Sequence, residues 1–97
     1  MNILTDKLYA ESISITNNID KYISKGYDIK YDINNNVLIV KYNNKSEYTI
    51  KIIQDNNELY WYLEPYNNTY YTTLFENGFD MVLFAIKENE TLYLGVK

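Results

Sequence analysis

Few residues in this chain are of a type that could do chemistry. Glu58 and Glu64 bracket the stretch ELYWYLE, and paired carboxylates can serve as acid and base in glycoside hydrolysis. Any strand supplies such a pair, however, and a chain of 97 residues leaves little room for a sugar cleft. A Ser or Cys nucleophile needs a base, usually His. The chain has neither His nor Cys, so a lysine or carboxylate would have to serve. Without Cys there is no disulfide and no thiolate metal site. Without His the commonest metal ligand is missing. Asp28 and Asp32 lie on one strand face but do not form a calcium loop. The three glycines stand singly at 26, 78 and 95, which is no phosphate-binding loop. The expectation is a protein that is not an enzyme, with no catalytic residues, no metal and no cofactor.

Binding chemistry is better represented. The stretch ELYWYLEPYNNTYY, residues 58–71, carries six aromatic rings, two acids and no base. Its surroundings are equally one-sided. Positive and negative charges balance over residues 1–26 and again over 27–55, so the whole net charge of −4 arises after residue 55. From Ile52 to Ile86 there is no basic residue. Acids steer a basic partner in and repel nucleic acid. Tyr and Trp give contact area at low entropic cost. Leu59, Trp61 and Leu63 share one strand face and are assigned to the core. The other rings, with the nearby acids, form the candidate partner-binding set: Glu58, Tyr60, Tyr62, Glu64, Tyr66, Tyr70, Tyr71, Glu76 and Asp80. Lys30, Lys41, Lys45 and Lys51 alternate with tyrosines in a way that could hold a single strand. Four acids cancel them, and the chain has no Arg, so direct nucleic-acid binding is not expected.

The elements that must position these residues follow from periodicity. Leu4, Leu8, Ile15, Ile19, Tyr22 and Ile23 recur at helical spacing, predicting a helix over residues 5–25. Thr5 would cap it and Gly26 would end it. Asn17 and Asn18 mark a possible break. From Tyr27 the period becomes two. Strands are predicted over 27–33, 37–42, 47–54 and 58–64, separated by Asn-rich turns. Pro65 should end the fourth, because it cannot donate to a ladder. Residues 73–88 fit either a helix or a hairpin turning at Asn77-Gly78. The interior glycine and the β-branched and aromatic content favour strands, with 79–87 pairing to 91–96. The expected fold class is α+β: one domain over residues 1–97, with one N-terminal helix packed on an antiparallel meander of five to seven strands.

Residue usage is rich in Asn, Ile, Lys and Tyr, which AT-rich codons favour, pointing to a low-GC bacterium or its phages and plasmids. The opening MNILTDKLYAES has no basic leader or apolar run of signal-peptide length, so a cytoplasmic location, inside a host cell, is expected. In size and charge, not in any motif, the chain resembles the small acidic inhibitors that mobile elements encode. Anti-CRISPR proteins, DNA-mimicking anti-restriction proteins and uracil-DNA glycosylase inhibitors belong to that class. The resemblance implies a non-catalytic inhibitor that occludes a basic nucleic-acid-binding host protein or its nucleoprotein complex. Glu58, Glu64, Glu76 and Asp80 would stand in for phosphates. Two other readings are a self-assembling virion or accessory module, including a homodimer, and a carbohydrate-binding module using Tyr60, Tyr62 and Tyr66.

Overall fold

The computed structural model describes residues 3–64 and 71–95. The described elements are, in chain order, α1 (Ile3–Asn17), α2 (Ile19–Ile23), β1 (Tyr27–Asp32), β2 (Val37–Tyr42), β3 (Glu47–Asp55), β4 (Glu58–Glu64), β5 (Tyr71–Leu74), a 3₁₀ turn over Phe75–Asn77, and α3 (Phe79–Gly95). The five strands lie side by side in sequence order, every neighbour antiparallel. This is the α+β meander expected from the sequence, with five strands.

Asparagines make the hairpins possible. Asn56 and Asn57 both hold positive φ, 49° and 66°, between the directly opposed Asp55 and Glu58. Asn43 and Asn44 do the same at 53° and 59°, and the Lys45 N–H closes that turn on the Tyr42 carbonyl at 3.0 Å. Left-handed pairs match the natural twist of the flanking strands, and Asn tolerates that conformation better than most side chains. The first turn is held differently. The Asp32 carboxylate accepts from the Asn34 and Asn35 backbone N–H groups and from Asn35 Nδ2 at 2.8 Å.

The N-terminal helix is split, as the asparagines suggested. Asn18 Nδ2 donates to the Ser14 carbonyl at 2.9 Å, and such local side-chain bonds compete with the helix. Two expectations change here. Thr5 lies inside α1, which begins at Ile3, and its hydroxyl accepts from Asn36 Nδ2. Ile23 is 58% exposed rather than part of the buried stripe, which runs through Leu8, Ile15 and Tyr22. Gly26 behaves as expected: at φ 95° it lets the chain leave α2 for β1.

The larger correction is at the C-terminal end. Asn77-Gly78 is not a hairpin turn, and residues 79–95 form one helix instead of two strands. Gly78 precedes α3, so no helix-interior glycine penalty applies; its φ of 92° serves the junction. Phe79, Val82, Leu83 and Ile86 are all buried, spaced three, four and seven residues apart along one face. Asp80 in the first turn suits the positive end of the helix dipole.

The core lies between the sheet and the three helices. One sheet face supplies Leu38, Val40, Tyr48, Ile50, Trp61 and Leu63; the helices answer with Leu8, Ile15, Tyr22, Val82 and Ile86. Trp61 stacks on Phe75 at 5.1 Å between ring centres and meets Phe79 at 5.2 Å. The assignment of Trp61 and Leu63 to the core holds, with Leu59 packed partly buried against it. No helix among the described residues is long and apolar enough to cross a membrane.

Candidate functional site

Strand registry sorts the side chains of the sheet into two sets. Ile52 faces Trp61 and Trp61 faces Thr73, which places all three on the helix-covered side. Ile53 faces Tyr60, and Tyr60 faces Leu74. Lys51 faces Tyr62, and Tyr62 faces Thr72. Those residues are on the opposite side. The helices meet the sheet on the side of the first set: Tyr9 with Tyr31, Phe79 with Trp61, Leu83 with Tyr27, and Glu90 with Tyr48. Among the described residues, the second face carries no covering element.

That open face presents the middle of the ring-rich stretch. Tyr60 and Tyr62 are half-buried, as are Ile39, Ile53 and Leu74 around them. Lys51 links the two chemistries: its Nζ lies 5.3 Å from the Tyr62 ring centre and 3.6 Å from Glu64 Oε1. Both members of this ion pair are well exposed, at 42% and 44%, so the pair contributes at most about 1 kcal/mol. It leaves Glu64 accessible and orients it beside Tyr62.

At the other end of the strand pair, Asp55 and Glu58 are directly opposed on the same face. Like charges in that position are destabilising. Asp55 was not among the residues singled out from sequence, which ends the third strand at Gln54; the strand runs one residue further, and the turn is Asn56-Asn57. Beyond Glu58 the strand end opens into a groove of about 290 Å³ lined by Asn57, Glu58, Leu59, Leu74, Phe75 and Glu76. Glu58, Glu76 and Tyr60 are thus brought to one region, with Leu74 reaching both the groove and the open face.

Asp80 is placed elsewhere. It lines a separate groove of about 400 Å³ between α2, β1 and α3, together with Tyr22, Lys25, Tyr27, Leu83, Phe84 and Lys87. Two lysines share that groove with it, so it does not extend the acidic surface. Burial first, then the carboxylates of Asp80 and Glu11, push the Tyr22 phenol up. The Tyr27 phenol, buried and close to Tyr42 and Asp80, is pushed up to about 12, and its hydroxyl donates to the Leu83 carbonyl at 2.9 Å. Tyr66 and Tyr70 lie outside the described residues, and Tyr71 is described only as the first residue of β5, facing Leu63.

No group of acidic, His or Cys residues among the described residues is arranged to hold a metal ion. The open face presents two rings on a five-stranded sheet, with Asp55, Glu58 and Glu64 beside Lys51 and, farther across the same face, Lys30 and Lys41. No protein-family model matches the chain, and neither a curated protein nor a solved structure matches it.

Proposed function

We propose that this chain is a non-catalytic binding protein, of the kind a phage or other mobile element encodes, that occludes a basic, nucleic-acid-handling surface of a host protein. The observation that carries this reading is the uncovered sheet face, on which Tyr60 and Tyr62 stand between Glu58 and Glu64 along one strand. A sheet face held by a packed core on its other side is rigid, so docking onto it orders few new side chains. Half-buried tyrosines supply anchors. The opposed Asp55 and Glu58 repel one another in the free protein, and a lysine or arginine of a partner placed between them relieves that repulsion. Asp80, set apart in its own groove, is not part of this surface.

Affinity capture from a lysate of a low-GC bacterium, with Y60A/Y62A and E58K/E64K variants run beside the wild-type chain, tests the reading. One nucleic-acid-handling protein should be held by the wild type, released by salt and lost with both variants. The purified pair should then compete with DNA or RNA for the target. Capture that ignores both variants, or a target that still binds nucleic acid when saturated, would overturn it.

A further inference from the structure

We propose that β1 is a self-complementary edge and that two copies of this chain pair through it, antiparallel, about a twofold axis at Ile29. β1 is the first strand of the sheet, with only β2 beside it. The Asn43 N–H donates to the Gly26 carbonyl at 2.8 Å, and residues 26 and 43 stand at the start of the β1–β2 register. Backbone bonding alternates along an antiparallel pair. Asp28, Lys30 and Asp32 therefore bond inward to β2, and the backbone groups of Tyr27, Ile29 and Tyr31 point out from the edge.

A second β1 can add to this edge only where outward-pointing residues oppose outward-pointing residues, which centres the axis on a residue of the strand and not between two. With the axis at Ile29, Tyr27 faces Tyr31 of the second copy and Ile29 faces its own counterpart. Asp28 then faces Lys30 of the second copy, and Lys30 faces its Asp28. The strand reads Tyr-Asp-Ile-Lys-Tyr, so both charge pairs form at once. Registers centred on Asp28 or Lys30 satisfy the backbone equally but oppose like charges: Asp28 to its own counterpart in the first, Lys30 to its counterpart and Asp28 to Asp32 in the second. A register centred on Tyr31 would run the pairing past the end of β1, where the Asp32 carboxylate is occupied by Asn34 and Asn35.

Edge strands are commonly protected by charges. Here the charges alternate so that they reject the registers centred on Asp28 and Lys30 and accept this one. Apolar groups beside the edge are uncovered to match. Tyr9, 51% exposed, packs its ring 6.2 Å from that of Tyr31, and Ile13 follows it one turn along α1 at 45% exposed. Ile23, on α2 above β1, is 58% exposed. Pairing two copies would make one continuous sheet of twice the width, with both open faces on the same side. This inference does not depend on the proposed function.

Sedimentation equilibrium over a concentration series tests it, using wild type, D28K, K30D and the double swap D28K/K30D, with circular dichroism to confirm that each is folded. The wild type should show a monomer–dimer equilibrium. Each single variant converts two attractive pairs into two repulsive ones and should raise the dimer dissociation constant by about tenfold or more. The double swap should bring the constant back toward the wild-type value. A mixture of D28K with K30D should form a heterodimer tighter than either homodimer. A wild type that stays monomeric, a dimer indifferent to K30D, or a double swap as weak as the single variants would overturn the proposal.

Discussion

The Tyr48 hydroxyl donates to Glu90 Oε1 at 2.9 Å and accepts from Asn89 Nδ2 at 2.7 Å, tying the middle strand of the sheet to the far half of α3. Both Tyr48 and Glu90 are buried, at 0% and 4% exposed. A carboxylate in such a place is tolerable only with partners. Tyr48→Phe removes the phenol donor while keeping the ring, and should cost about 2 kcal/mol of unfolding free energy. Urea denaturation measures this. A loss within experimental error would show that the phenol bond contributes little to holding α3.

Tyr27 offers a second readout of the same packing. Its phenol, pushed up to about 12 by burial and by Tyr42 and Asp80, should stay protonated while exposed tyrosines ionise. The folded value lies above the unfolded value of about 10. Its contribution to stability is therefore complete below pH 10 and is lost as pH rises from there through 12. Ultraviolet titration of wild type against Tyr27→Phe should show one phenol missing from the high-pH end of the curve.

Acid should act on the first hairpin. The bonds from Asn35, side chain first and then backbone, with the Asn34 backbone adding to them, hold the Asp32 carboxyl below its ordinary value. A depressed folded value means that the contribution is present above the unfolded value of about 4 and is lost as pH falls through the folded one. Amide protection factors at Asn34 and Asn35, taken against the intrinsic rate at each pH, should therefore fall at acid pH before the rest of the sheet responds. Asp32→Ala should show the lost protection already at neutral pH.

Alternate rings of β4 should separate stability from binding. Trp61→Ala empties a site that is 1% exposed and should cost about 3–5 kcal/mol. Tyr60→Ala and Tyr62→Ala remove rings from the open face, where a cross-strand pair contributes about 0.2–1 kcal/mol. Denaturation midpoints should fall steeply for the first and slightly for the other two. A steep fall for Tyr60→Ala would mark that ring as structural and weaken its place in the binding surface.

Much of this arrangement is written locally. Period-two alternation from Tyr27 to Glu64, broken by asparagines that accept positive φ, specifies four strands, their turns and which face each ring takes. Tyr60 and Tyr62 fall opposite Trp61 for that reason alone. The opposition of Asp55 to Glu58 was not legible in the same way: a turn of Asp55-Asn56-Asn57 leaves Asp55 outside the strand, whereas β3 runs through it, so the turn is Asn56-Asn57 and Asp55 opposes Glu58. Residues 79–95 were not decided locally. Phe79, Val82, Leu83 and Ile86 satisfy a helical stripe, while the β-branched and aromatic content and Gly78 favour strands, which would split the four between two faces. The helix is selected by what it packs on: Trp61, Tyr22, Tyr27 and Tyr48, contributed by elements up to 57 residues away in sequence, from Tyr22 to Phe79. The same holds for Glu90, which reads as a surface acid until Tyr48 is brought over it, and for Asp80, which α3 carries away from the other acids. Periodicity and turn chemistry act between neighbours and can be read from the chain. Burial depends on which surfaces meet, and here only the tertiary structure brings them together.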